Sequence, residues 1–313
     1  FRILANCWPG QRDQVAAALQ VQGSSIRELR LLTRDEILEV VKNVGIQGPN
    51  RLLHELVDQA DGRPGLAVTL ARLCLTGNTR QVALGEALST DVRLTFEPLI
   101  GKEAIQILSV LAVGGDAGMR LKAAASYLGL PEMRVRDSVT QLAAGGVIDE
   151  VNETTLSVRP EALRHALVRD AFFRGALSSD ITEVIKLVPS RDDAALTLIG
   201  SGWREGTVPD CLLRNLVEQS SSGLVWASYA GLGAAEAQWV LQNHPERVSS
   251  IIRPALFHIP GVVIPHLLTA ATSDKREPHS HTDQPLRLIE DWIKSAWPGK
   301  QTAVPRRETL LDV

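Results

Sequence analysis

Two amphipathic helical patterns meet at Gly62-Arg63-Pro64-Gly65, and no other stretch constrains the fold of this chain so tightly. Before the break, Leu52, Leu53, Leu56, Val57 and Ala60 fall on one helical face. After it, Leu66, Ala67, Leu70, Ala71 and Cys74 repeat at the same spacing until Gly77-Asn78 ends the run. Proline offers a rigid apolar face with no N–H to desolvate, and glycine lets a backbone approach closely. The break therefore suits a backbone pressed against a flat ligand. An isolated Gly-x-Pro is most often a plain interhelical turn, so its surroundings decide its weight.

Upstream, Arg2 to Cys7 is an apolar run that reads as a buried strand, closed by the turn Trp8-Pro9-Gly10. Val15, Ala18 and Leu19 mark a helix from Asp13, and Ile26 to Leu32 reads as a second short strand. Thr33 with Glu36 makes a capping box for a helix carrying Ile37, Leu38, Val40, Val41 and Val44. A sheet rarely opens on its central strand, so the chain is expected to be a piece of a longer protein.

Downstream, residues 101–175 read as a separate unit. Ala104, Ile105, Leu108 and Leu111 mark a first helix that ends at Gly114-Gly115. A second carries Leu121, Ala124, Ala125 and Leu128, and a third, opened by Pro131, carries Val135, Val139 and Leu142. Gly145-Gly146 then release Val147 to Val151, and Thr154 to Val158 returns after a turn at Asn152-Glu153. Three helices and a hairpin in that order describe a winged helix, and a further helix is expected from Pro160 to about Phe173. Beyond Leu177 the pattern is helical but irregular, with Gly, Ser and Pro clusters at 200–208, 219–223 and 260–265 and no clean repeat period. Ser273 to Gln284 reads as a polar link. Leu286, Ile289 and Ile293 mark a last helix after Pro285, and the end of the tail is expected to be disordered.

The fold class expected is mainly α, and composition agrees, with 44% hydrophobic, 22% charged and only 4% aromatic residues. A net charge of -3 provides no global field for nucleic acid or anionic membrane. The third helix of the winged-helix pattern balances Glu132 and Asp137 against Arg134 and Arg136, so DNA is not an expected partner. No run of about 18 apolar residues would span a bilayer. Cys7, Cys74 and Cys211 are odd in number and far apart, which fits a reducing, cytoplasmic setting. The 7 histidines form no ligand set, His279 and His281 included, so no metal site is expected. No G-x-S-x-G elbow supports a hydrolase.

The order of strand, helix, Gly-x-Pro break and winged helix resembles the second half of a STAND-class AAA+ NTPase, the group that includes NB-ARC and NACHT switches. The resemblance covers about residues 1–175. It implies the C-terminal part of an α/β NTPase core at 1–48, a helical lid at 49–97, a winged helix at 98–176 and a helical sensor region at 177–313. The half of the family's module that carries the phosphate loop has no counterpart here: nothing matches G-x-x-x-x-G-K-[ST], and Gly114 to Arg120 lacks the lysine spacing. Whether the chain belongs to an enzyme thus turns on an ATP-hydrolysing module of which this piece alone is expected to be inactive.

By the same resemblance, Gly62 and Pro64 would pack on the adenine of bound ADP or ATP, with Mg²⁺ held by the phosphate-loop half. Asn6 would supply a polar contact to the terminal phosphate. Trp8 stands where an arginine is common, which argues against γ-phosphate sensing. Arg159, in Val158-Arg159-Pro160, occupies the place of the Met-His-Asp motif whose histidine touches the β-phosphate, and a guanidinium holds phosphate oxygens at least as well. The alternative for Arg159 is a solvated arginine before a helix. Homo-oligomerisation on activation and a protein ligand on the C-terminal helices are the partners implied, in immunity, antiviral defence or transcriptional control. Two other readings stay open: a DNA-binding winged-helix regulator, and a non-catalytic helical scaffold in which the Gly-Arg-Pro-Gly break is only a turn.

Overall fold

The computed structural model describes residues 12–20, 30–48, 50–144, 146–152, 154–174, 180–247 and 250–251. The expected first strand with Asn6, most of the second, the polar link at 273–284 and the helix after Pro285 lie outside these residues. The chain is mainly helical with one small antiparallel sheet, and it divides into two compact units, Phe1–Thr207 and Val208–Val313. Among the described residues no helix is long and apolar enough to cross a membrane.

The first unit begins with α1 (Arg12–Leu19) and α2 (Arg34–Val44). Thr33 caps α2 as its sequence predicts: its hydroxyl accepts from the Glu36 N–H, while the Glu36 carboxylate accepts from the Thr33 N–H at 2.7 Å. Gly45 closes the helix in the left-handed region. Ile37 and Val41 are fully buried because α2 packs on α3 (Asn50–Ala60) and α4 (Pro64–Leu75). This helix, which the sequence assigned to the sheet remnant at 1–48, thus shares its core with the two helices that follow. Of the expected second strand only Arg30 to Leu32 is described, and it is irregular. Its Leu32 N–H donates to the Gly62 carbonyl at 2.8 Å instead of to a neighbouring strand.

Helices α5 (Thr79–Ala83) and α6 (Glu86–Ile100) lead to α7 (Glu103–Ala112), α8 (Leu121–Leu128) and α9 (Glu132–Ala144). The sheet has strand order β1-β3-β2 and joins β1 (Met119–Arg120), β2 (Ile148–Asn152) and β3 (Thr155–Val158). β3 lies in the middle, antiparallel to both neighbours, and every one of its residues is buried. The chain then enters α10 (Glu161–Val168), followed by a single π turn at Arg169–Phe173.

All residues from Ala162 to Val168 are buried, so α10 is enclosed on every side. It packs on α7, α6, α3 and α12 (Arg191–Trp203), the last reached through the short α11 (Ile181–Ile185). That contact with α10 carries the first compact unit through α12, past the boundary at 176/177 read from the sequence.

The second unit holds α13 (Asp210–Gln219), α14 (Gly223–Ala230) and α15 (Ala234–Asn243). Among its described residues, buried aliphatic side chains surround an aromatic cluster. Trp226 is 1% exposed, donates its indole N–H to the Ser220 carbonyl at 3.0 Å and lies parallel to Trp239 at 6.3 Å. Arg214 covers the other part of this cluster, with its guanidinium 4.9 Å from the Trp239 ring.

Candidate functional site

Gly62 adopts φ +78°, a left-handed conformation that glycine enters without strain. A Cβ there would lie 2.8 Å from the Leu32 carbonyl oxygen and 2.9 Å from the Leu31 Cβ. The close approach that demands glycine is therefore made by the chain's own residues 31 and 32. Pro64 is the first residue of α4, as its missing N–H favours, and it is exposed.

Between them, the half-buried Arg63 fixes the break in space. One guanidinium nitrogen donates to the Asp61 carbonyl at 3.1 Å and to its carboxylate at 2.9 Å. The other reaches across to the Gly146 carbonyl at 2.9 Å.

Gly146 belongs to the turn that starts β2, and its successor Val147 accepts from the Arg159 backbone N–H at 3.0 Å. Two adjacent carbonyls thus bind the interhelical break on one side and the end of β3 on the other. Of the four residues singled out in the sequence, Gly62 and Pro64 flank the Arg63 whose guanidinium reaches this turn, Arg159 meets the turn through its backbone N–H, and Asn6 lies outside the described residues.

The Arg159 side chain is 34% exposed and paired, with Asp116 at 3.2 Å and Asp149 at 3.7 Å. It is not a simply solvated arginine. Arg164, one turn into α10, is 3% exposed and meets the same Asp116 oxygen at 2.8 Å. It also donates to the Val158 carbonyl at 3.2 Å and the Ser157 hydroxyl at 3.4 Å. The Ser157 hydroxyl in turn donates to the Gly115 carbonyl at 2.8 Å, which ties this group to the α7–β1 turn.

Arg164 and Asp116 have no place in the sequence reading of the site. The signal available was Arg164 itself, a charged residue among the apolar Ala162, Leu163, Ala166, Leu167 and Val168 of α10. His165, the next residue of α10, is enclosed. Its ring packs so closely on α12 that a Cβ at Gly200 would lie 2.2 Å from Cε1. Burial pushes the imidazole well below its ordinary range, and the positive charges of Arg204 and Arg164 push it the same way. It is held neutral as a packing residue.

A second polar cluster sits where α5 ends. The successive carbonyls of Val82, Ala83 and Leu84 accept from Gln59 at 2.7 Å, from Arg204, and from Arg169 at 2.8 Å. Arg204 also pairs with Glu55 at 3.3 Å. Cations belong at a helix C-terminus, where unpaired carbonyls concentrate negative charge.

On α9, Arg134 pairs with Glu103 at 2.9 Å and Arg136 with Glu132 at 3.1 Å. The only basic residues of that helix are thereby already partnered. No family model matches the chain, and neither a curated protein nor a solved structure is significantly similar to it.

Proposed function

We propose that the first unit supplies one wall of an ADP/ATP site and belongs to a STAND-type nucleotide switch. In that reading α3 and α4 form the lid, α7 to β3 form a winged helix, and the phosphate loop lies on a part of the protein outside this chain. The observation that supports it is the turn at Gly146-Val147, whose adjacent carbonyls accept from the Arg63 guanidinium of the break and from the Arg159 backbone N–H at the end of β3. The exposed ring of Pro64 suits the flat face of a purine. The paired guanidinium of Arg159 suits a phosphate, to which arginine offers several donors in a fixed fork.

The chain's own contribution to such a switch is binding and positioning. Arg63 fixes the angle of the break, Pro64 presents an apolar surface, and Arg159 carries the charge. A nucleotide would stabilise whichever arrangement of these residues it binds better, which is the differential affinity that any switch requires. Homo-oligomerisation and a protein ligand on the C-terminal helical region belong to the same proposal.

The test is ADP titration by calorimetry in the natural full-length polypeptide. Pro64→Ala and Arg159→Gln are each expected to weaken ADP about tenfold, or about 1.4 kcal/mol. Unchanged affinity in both would overturn the reading.

One observation favours the scaffold alternative: the glycine of the break is explained by residues 31 and 32, with no ligand required. The DNA-binding alternative loses support from the ion pairs of Arg134 and Arg136. A DNA titration over salt separates it, because true phosphate contacts weaken steeply as salt rises.

A further inference from the structure

We propose that Arg159 and Arg164 form a binding site for a phosphate-class oxyanion, and that the carboxylate of Asp116 occupies it in the structure described above. The proposal deepens the nucleotide reading by naming the chain's own phosphate subsite and the group that competes for it.

Two guanidiniums converge on one carboxylate oxygen, Arg164 at 2.8 Å and Arg159 at 3.2 Å. The two partners differ in exposure. Arg164 is held by Val158 and Ser157 and is enclosed, so its charge cannot turn away to water. Its Nε is buried without a hydrogen-bond partner, a donor that Asp116 leaves unused. Asp116, by contrast, is 59% exposed.

The backbone on either side of Asp116 packs on Asp193. Ala117 N–H donates to the Asp193 carboxylate at 3.4 Å, and a Cβ at Gly115 would lie 2.7 Å from the Asp193 Cβ. Opening the site would then proceed by rotation of the exposed Asp116 side chain. A carboxylate oxygen shared by two arginines is a poor match for their donors. A phosphate carries more charge and more acceptor oxygens, and it can engage both forks at once. Asp149, 3.7 Å from Arg159 and likewise exposed, also balances the pair and opposes an incoming anion more weakly than Asp116 does.

The same chemistry is offered by the phosphates of a nucleotide and by free phosphate, so both are probed. Inorganic phosphate, pyrophosphate and ADP are titrated at constant ionic strength into the wild-type chain, Asp116→Asn and Asp116→Asn/Arg159→Gln. Asparagine keeps an oxygen facing Arg164 but removes the competing charge. Asp116→Asn is expected to bind pyrophosphate about tenfold more tightly than wild type, and adding Arg159→Gln should abolish the gain. If Asp116→Asn does not fold, the wild type decides: pyrophosphate should raise its melting temperature over chloride at equal ionic strength, and Arg159→Gln should remove that rise.

A folded Asp116→Asn with unchanged pyrophosphate affinity overturns the site, as does a gain that survives Arg159→Gln. The two readings fail separately. ADP affinity that depends on Pro64 in the natural full-length protein, with no pyrophosphate gain in Asp116→Asn, removes this site and leaves the adenine wall. A pyrophosphate gain with ADP affinity indifferent to Pro64 does the reverse.

Discussion

At Gly62 a single hydrogen atom in place of a side chain lets residues 31 and 32 lie against the interhelical break. Any larger residue would meet the Leu32 carbonyl and would also be held at positive φ. Gly62→Ala is therefore expected to lower stability by roughly 1–3 kcal/mol, read by urea unfolding. The sequence marks the break clearly, because glycine and proline punctuate helices locally. It does not reveal what presses on the glycine, since Leu31 and Leu32 reach it through tertiary packing. His165 was legible as a helical residue, but its enclosure depends on Gly200, distant in sequence. That enclosure has a pH consequence. The unfolded chain takes up a proton near the ordinary imidazole value of 6.5, whereas the native ring stays neutral well below it. Native stability from this group is thus intact above that pH and is lost as pH falls beneath it, at about 1.4 kcal/mol per pH unit. His165→Gln should flatten this part of the stability profile between pH 6.5 and 5.5, and an unchanged slope would refute the assignment.

Among the elements, α2, α3, α4, α7, α8, α9 and the β2–β3 hairpin follow the apolar spacing and turn residues of the sequence closely. Others did not announce themselves. α6 carries Ser89, Thr90, Asp91, Thr95 and an internal Pro98, a composition that helix propensity alone disfavours. β1 is a two-residue strand that exists through pairing with β3, and no periodicity exposes so short an element. The end of α5 depends on partners from three other segments, Gln59, Arg169 and Arg204. Arg169 is 1% exposed and serves the Leu84 and Arg204 carbonyls as well as Asp170. Arg169→Met keeps much of the volume but removes the donors and leaves Asp170 without this partner. It should cost about 3–5 kcal/mol, with the α5–α6 segment losing hydrogen-exchange protection first. Uniform loss of protection would argue against a local role for this cluster.

On the scale of the whole molecule, the mainly helical class was legible from composition and periodicity. The extent of the first unit was not, because it depends on α12 packing against α10. The candidate site was half legible. Gly62, Pro64 and Arg159 stand out as motif positions, whereas Asp116 and Arg164 become meaningful only when β3 and the α7–β1 turn are set side by side. The nucleotide reading links the interhelical break to the end of β3 through the turn at Gly146-Val147. Its most direct test is photolabelling of the natural full-length protein with an azido-adenine analogue of ADP, followed by peptide mapping. The account predicts label in the Leu52–Arg72 peptide that contains Pro64, suppressed by excess ADP. Specific labelling that falls elsewhere and spares this peptide would contradict it.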